Sequence, residues 1–526
     1  MSVREVLIDG GWVKSAGTET FQAINPATRE PLDGSYPVSP WPEIERALAA
    51  AQAAFRRTTG WSGDRFAAFL EKYADRIEAR ADELVETAHL ETALARQPRL
   101  KDVELPRTTN QLRQAAKAAR EGSWMAATID TKANIRSCYG PIGPVAVFGP
   151  NNFPFAFSGI AGGDFAAAVA AGNPVIAKGH SSHPGTTRIF AEEAREAGLE
   201  TDMPPGFVQL IYRTKHSDGE KLAAHPSLGA IGYTGAREAG LVLKSAADRV
   251  GKPIYLELSS INPVVFLPGA LEERGEALAT EFSGSCLMGT GQFCTNPGLV
   301  ILPGGATSEA FVEFVTKKFA ESPVGTMLGE GVARNFASGI ATIAAAGAKI
   351  LTGGKPGGGA GCSFQNTLLR VDGDTFLKNP EKLQTEAFGN GSLIVVAKSA
   401  EQMLAIAGVL EGNLTGAIYS HTAGNDDALY DQLAPLVRHH VGRLLNDKMP
   451  TGVAVSPAMN HGGPFPATGH PVFTSVGIPA AIHRFAMLQC YDNVRPHRLP
   501  PVLRDKNPTG KTWRSIDGAW TTGDVS

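Results

Sequence analysis

The stretch Val145-Ala146-Val147-Phe148-Gly149-Pro150-Asn151-Asn152-Phe153-Pro154 decides how this chain is read. Four apolar residues in a row predict a short strand buried on both faces. The Gly-Pro-Asn-Asn that follows turns the chain at the strand's C-terminal end. A helix is predicted next, through residue 171, and the alternation then recurs. Strands are predicted at 175–177, 207–212, 230–233 and 254–258, with helices from 184, at 219–225 and at 237–250. Short Val/Ile-rich strands separated by helices predict an α/β fold with a parallel sheet and ligands beyond the strand C-termini.

Upstream, residues 6–13 read as a short strand-like opening. Residues 43–57, 65–95 and 103–120 carry apolar side chains at helical spacing, the pattern of core-facing helices. Residues 122–139 lean towards β structure and read as a protruding hairpin able to join a neighbour's sheet. Downstream, a second α/β unit is expected from 262 to 475. The Pro-rich tail after 476 has little periodicity and is expected to wrap another surface. Residues 353–361 are Gly-rich and read as a surface loop.

The bulk composition narrows the class. The 526 residues suffice for two or three domains, and 43% hydrophobic with 19% charged residues is ordinary for a globular enzyme. A net charge of -3 provides no basic field for a nucleic acid or an anionic membrane. No signal peptide or membrane-length apolar run is present. The five cysteines, Cys138, Cys286, Cys294, Cys362 and Cys490, are odd in number and scattered. Neither a disulfide framework nor a metal pattern emerges, and a reducing cytoplasm is the expected home.

One of those cysteines stands apart. Cys294 lies in Gly289-Thr290-Gly291-Gln292-Phe293-Cys294-Thr295-Asn296-Pro297-Gly298, between a helix predicted at 271–288 and a strand at 299–302. A thiol on a Gly-flanked turn is displayed rather than packed, as a nucleophile must be. The strand ends of the first unit carry a matching set: Asn152, Lys178, Tyr233-Thr234-Gly235-Ala236 and Glu257. Each alone has an ordinary explanation, as a turn residue, a surface charge or a capping carboxylate. Together they converge on one crevice. The glycine fingerprint of many dinucleotide sites, G-x-G-x-x-G after a strand, is absent.

Taken in order, these stretches resemble the aldehyde dehydrogenase superfamily over nearly the whole chain. Asn152-Phe153-Pro154, Lys178, Tyr233-Thr234-Gly235-Ala236, Glu257, Gly291-Gln292-Phe293-Cys294 and Glu386-Ala387-Phe388-Gly389 match that family's motifs. The resemblance implies a Rossmann-type cofactor domain (1–121 and 141–261), a catalytic domain (262–475) and a small β oligomerisation element (122–140 and 476–526) in a homodimer or homotetramer. Asn151, Ser259-Ser260 and Asn390 depart from the common pattern. They resemble a branch that contains 2-oxoglutarate semialdehyde dehydrogenases and NADP-preferring fatty aldehyde dehydrogenases.

By this resemblance Cys294 attacks the aldehyde carbon, Asn152 and the Cys294 backbone N–H hold the oxyanion, and Glu257 activates the water that hydrolyses the thioester. A free thiol titrates near ~8.5 and needs a base, a cation or local dipoles to act at neutral pH. For the cofactor, Lys178 is assigned the adenosine ribose, Glu386 with Phe388 the nicotinamide ribose, and Gly235 a close backbone approach. NAD-preferring members often carry Glu where Ser181 stands. With Arg213 near by, Ser181 predicts that NADP is accepted and preferred over NAD. Phe157, Ile160, Phe293, Thr295 and Phe465 are expected to line the aldehyde tunnel, and Arg107 and Arg113 to meet a substrate carboxylate. The expected substrate is 2-oxoglutarate semialdehyde, with a fatty or medium-chain aldehyde as the alternative.

Three rival readings remain open at this level. A CoA-acylating dehydrogenase commonly lacks the water-activating glutamate that Glu257 supplies. A cysteine hydrolase needs a histidine beside the thiol, and none lies within the cysteine motif. A non-catalytic scaffold has no use for Asn152, Lys178, Glu257, Cys294 and Glu386 together.

Overall fold

A computed structural model describes residues 3–526. Its first large sheet has seven strands, in the order Ile254–Glu257, Ala230–Thr234, Val145–Phe148, Val175–Lys178, Val208–Ile211, Val6–Ile8 and Gly11–Val13. The first five run parallel, and the last two form an antiparallel edge hairpin. From Val145–Phe148 the chain builds outward through two strands, then returns to place Ala230–Thr234 on the other side. That reversal leaves a crevice at the C-terminal ends of the central strands. The four residues of Val145–Phe148 are all buried, as a central strand covered on both faces requires. The Ala-rich helix Gly163–Ala170 is buried all round and packs in the same core.

The amphipathic helices form as expected, with one break. Gly63–Ala79 buries Phe66, Leu70, Tyr73 and Ile77 at three- and four-residue spacing. The chain turns at Arg80 before a second helix, Ala81–Thr92, begins, so residues 65–95 are not one helix. Arg80 pins that corner with hydrogen bonds of 2.9 and 3.0 Å to Glu192 and Glu193 on Pro184–Glu200. A π-helical turn, Arg96–Glu104, leads into Leu105–Glu121. That helix ends at Gly122, whose φ of 75° closes the left-handed cap.

The second large sheet, again of seven strands, centres on Gly391–Ala397, Leu299–Pro303, Val264–Phe266 and Asn413–Tyr419, all parallel. After its edge strand Val441–Asn446, the chain crosses back to the first sheet. There the Leu258 N–H donates to Ala467 O (2.8 Å) and the Gly469 N–H to Leu256 O (3.0 Å). The irregular stretch 447–475 is thereby laid between the two sheets.

The hairpin and the tail meet within one chain. Ala486–Asp492 pairs antiparallel with Ile135–Pro141 over seven residues, and Arg514–Ile516 runs parallel to Thr128–Asp130. The hairpin edge that sequence offers to a neighbour is thus covered by the chain's own tail. Among the described residues, no helix is long and apolar enough to cross a membrane.

Candidate active site

Cys294 sits on a tight loop between the helix Pro268–Leu287 and the strand Leu299–Pro303. Gly289, Thr290 and Gly291 all have positive φ, of 56°, 61° and 66°. A Cβ on Gly291 would fall 2.0 Å from Gly389 O, so only glycine allows this close approach. Asn262 ties the loop down, its Nδ2 donating 2.9 Å to both Cys294 O and Asn296 O. The thiol remains half-buried at the mouth of the loop, whereas Cys286 is sealed in the core.

Facing the thiol is a residue that motif reading missed. His461 Nε2 lies 3.4 Å from Cys294 Sγ and 2.9 Å from Glu257 Oε1. Sulfur, imidazole nitrogen and carboxylate oxygen fall within 4.8 Å of one another. The second Glu257 oxygen accepts from Ser475 Oγ at 2.9 Å. Glu257 ends the strand Ile254–Glu257, and His461 and Ser475 belong to the irregular crossing stretch. Their sequence signal is faint: a lone His before Gly462-Gly463 resembles Cys294 only in its small neighbours.

Electrostatics divide the three groups. Burial pushes the Cys294 thiol well above its ordinary value and the Glu257 carboxylate pushes it further, while the Arg107 guanidinium pulls it back. Burial also opposes ionisation of Glu257. The adjacent His461, with hydrogen bonds from His461, Ser475 and Cys294, outweighs that and holds the carboxyl below its ordinary value. The resting pair is therefore a neutral thiol beside a carboxylate.

Asn152 reaches the same point from the first sheet. Its Nδ2 donates 3.1 Å to Gln292 O, two residues before Cys294, which leaves the amide beside the thiol. Behind it, Arg99 Nη2 donates 2.9 Å to Asn152 O, and Arg99 pairs with Glu104. Fully buried Glu104 also accepts the N–H groups of Phe155 (2.9 Å) and Ala156 (3.0 Å). One carboxylate thus holds the whole turn after Asn152 in place, another role invisible in the motif.

The cofactor candidates gather at the strand ends. Lys178 pairs in register with Phe148 and, among the described residues, makes no ion pair. Burial pushes its amine down to about 8, with help from Arg213. Ser181 is half-buried and Arg213 exposed. The Gly235 N–H donates 3.1 Å to Glu257 O, tying that turn to the catalytic strand. Glu386 and Phe388 line one pocket with Ser260, Gly291 and Phe293. Burial pushes the Glu386 carboxyl up to about 7, although it accepts the Ser260 N–H at 3.3 Å.

The structure brings together only some of the residues expected to line the tunnel. Phe157 and Phe293 pack around Phe153, at 5.3 and 5.6 Å between ring centroids, with Val476, Val453, Val455 and Met459 completing the wall. Ile160 belongs to the core of the first unit, its carbonyl accepting from Tyr73. Thr295 is spent on the Gly452 N–H at 3.2 Å and is buried behind the loop. Phe465 is 64% exposed and does not join the cluster of Phe153, Phe157 and Phe293. Arg113 is paired on the surface with Glu78 and Asp75, so it cannot meet a substrate there. Arg107 does turn towards the site, over Phe157 and Phe153 at 5.0 and 5.6 Å.

Comparison with known proteins gives the family. The Aldehyde dehydrogenase family profile matches residues 12–435. An "Alpha-ketoglutaric semialdehyde dehydrogenase 2" of Azospirillum brasilense is 39% identical over 516 residues, covering 96% of this chain and 97% of that protein. An "Alpha-ketoglutaric semialdehyde dehydrogenase" of Acinetobacter baylyi is 36% identical over 522 residues, with the same coverage. Among solved structures, an aldehyde dehydrogenase C variant from Pseudomonas syringae, complexed with NAD+ and octanal, superposes with a TM-score of 0.80. It is 21% identical, covers 94% of this chain and 98% of its own, and supports the fold alone. On the family match and on relatives aligned almost end to end, the chain belongs to the aldehyde dehydrogenase family.

Proposed function

We propose that the protein oxidises 2-oxoglutarate semialdehyde to 2-oxoglutarate with NADP as the preferred cofactor, hydrolysing a thioester on Cys294. The observation that carries the chemistry is the packing of Cys294 Sγ against His461, itself 2.9 Å from Glu257. The substrate is supported by the names of the two relatives.

In this reading Cys294 sulfur forms a bond to the aldehyde carbon. The thiol proton passes into the His461–Glu257 couple, shared between Nε2 and Oε1. Asn152 Nδ2 and the Cys294 N–H donate to the oxygen as negative charge develops on it. A nicotinamide held by Lys178 and Glu386 would supply the hydride acceptor, the oxidant that turns the Cys294 adduct into a thioester. The couple releases the thiol proton to solvent, and Glu257, with His461, then takes a proton from the attacking water, which it returns to the departing sulfur. The water oxygen bonds to the carbonyl carbon, the C–S bond breaks, and the acid leaves with the thiol restored.

The residues fit such a cofactor. A half-buried lysine that forms no ion pair among the described residues suits an anionic ribose phosphate, and Ser181 offers a donor where a carboxylate would repel it. Glu386, beside Ser260 in the pocket shared with Phe293, would hold the nicotinamide ribose, a role its position in that pocket supports. Association into a homo-oligomer would use an outer strand of the five-stranded sheet, Ala486–Asp492 or Ala519–Thr521, since the hairpin itself is covered.

Reduced-nicotinamide formation from 2-oxoglutarate semialdehyde and from octanal, each with NADP and NAD, tests the reading. The expected result is the highest kcat/KM with the semialdehyde and NADP. A clear preference for octanal removes the substrate proposal, and equal efficiency with NAD removes the cofactor proposal.

A further inference from the structure

The three side chains at the reacting point are also a donor set. The thiol of Cys294 lies 167 positions from His461, and His461 lies 204 from Glu257, which is why no metal spacing shows in the sequence. Their ligating atoms nonetheless fall within 4.8 Å of one another. One sulfur, one imidazole nitrogen and one carboxylate oxygen around a common point are donors that zinc takes, at about 2.3 Å to sulfur and about 2.0–2.2 Å to nitrogen and oxygen. In a tetrahedron those bonds set sulfur about 3.6 Å from nitrogen and nitrogen about 3.4 Å from oxygen. Here Sγ to Nε2 is 3.4 Å and Nε2 to Oε1 is 2.9 Å. The sulfur and nitrogen are in place, and a swing of the carboxylate by about half an ångström completes the spacing.

The surroundings favour the same class of ion. Thiolate and carboxylate together match the two charges of a divalent cation, and at the thiol Glu386 acts against the opposing field of Arg107. Ser475 Oγ donates 2.9 Å to the second Glu257 oxygen, which orients the carboxylate and leaves Oε1 to a ligand. Metal-binding carboxylates ordinarily have such an outer partner. The His461 ring is steadied by Phe157, 5.6 Å away between centroids. Glu257 and His461 are buried, while the half-buried thiol leaves one side of the point open for a water or other fourth ligand. Three protein donors including a thiolate select a soft or borderline ion over Mg2+ or Ca2+, which take oxygen shells.

We infer that Cys294, His461 and Glu257 form a reversible, inhibitory binding site for Zn2+. On binding, the thiol proton leaves to solvent and the imidazole keeps its one proton on Nδ1. Sγ, Nε2 and Oε1 then each donate an electron pair to the ion, and nothing is oxidised or reduced. The ion takes the nucleophile, its proton acceptor and the water-activating base together, so it stops both halves of the reaction at once. The site rests on the geometry of the three side chains and holds whichever aldehyde the protein oxidises.

The test titrates the full-length enzyme, freed of metal, with Zn2+ and with Co2+ as a coloured replacement. One equivalent of Zn2+ is expected to abolish aldehyde oxidation and the alkylation of Cys294 by iodoacetamide in step, with both restored by EDTA. Co2+ is expected to give the near-ultraviolet charge-transfer band of a thiolate ligand, and Cys294→Ser to remove it. His461→Ala and Glu257→Gln should each weaken Zn2+ binding about a hundredfold or more, and Ser475→Ala about tenfold, as for loss of an outer partner. Binding rather than turnover is read in these variants, and thermal unfolding without metal reports whether each is folded. Cys490→Ser, which removes the exposed thiol, should leave band and stoichiometry unchanged. A band that survives Cys294→Ser or vanishes in Cys490→Ser overturns the site. So does Zn2+ affinity unchanged in both His461→Ala and Glu257→Gln, or alkylation of Cys294 that saturating Zn2+ does not slow. Failure to oxidise the semialdehyde without metal removes the named substrate alone, because the alkylation and cobalt measurements do not depend on it.

Discussion

His461 Nε2 stands 2.9 Å from Glu257 Oε1 across 204 positions of sequence, and both side chains are sealed from solvent at 1% exposure. A neutral, half-buried thiol lies 3.4 Å from the same nitrogen, and Ser475 holds the other carboxylate oxygen. Nucleophile activation and water activation thus draw on one shared pair.

Replacing His461 with Ala should lower kcat about 10²- to 10³-fold, the range for loss of a positioned proton acceptor. The alkylation rate of Cys294 by iodoacetamide, followed by mass spectrometry, should fall with it. Wild-type turnover in this variant would show that Glu257 works alone.

In wild type the same alkylation has a defined pH dependence. Burial and Glu257 raise the thiol, so the thiolate fraction, and the rate with it, should keep climbing above the midpoint of an ordinary cysteine. A plateau reached near neutral pH contradicts the electrostatics described here.

Glu257→Gln should separate the two halves of the reaction, slowing hydrolysis of the thioester more than its formation. The expected record is a single-turnover burst of reduced nicotinamide followed by near silence, with an acyl adduct on Cys294 in the intact mass. Steady turnover without a burst would mean that hydrolysis has another base.

Lys178, pushed down to about 8, loses its charge as pH rises through that value. The affinity for NADP relative to NAD should therefore decline between pH 7 and 9, by at most about tenfold per pH unit for one proton. Ser181→Glu should weaken NADP at neutral pH by like-charge repulsion and leave NAD far less affected. Titrations of the two cofactors at three pH values decide both points.

Glu104→Ala removes a buried carboxylate from Arg99 and from two backbone N–H groups at once. The expected cost is about 3–5 kcal/mol of stability, read from denaturant unfolding, with a further loss of kcat as Asn152 is released. A variant as stable as wild type would show that the turn holds itself.

How far the site could be read from sequence depended on regular structure. Cys294, Glu257 and Asn152 were legible because each lies on a Gly-rich turn or at a strand end, where the βαβ pattern fixes position. His461 and Ser475 lie in a crossing stretch with neither period, so no spacing argument reaches them. Arg107 and Arg113 were read together, yet six residues of helix span well over one turn but not two, which sends the second arginine to Glu78 on the surface. The break at Arg80 rests on ion pairs to a helix a hundred positions downstream, beyond the reach of local propensity.

The crossing stretch has one more effect. Cys294, Glu257 and Asn152 leave the ribosome well before His461 and Ser475, and the Ala467–Gly469 pairing that seats Glu257 comes later still than the sheet it joins. While the chain is being synthesised, the thiol lacks the imidazole and the hydroxyl that complete its surroundings. A chain that already carries Cys294 but not yet the crossing stretch lacks the couple that takes its proton, so nucleophile and proton acceptor come together only when that stretch folds back onto the first sheet.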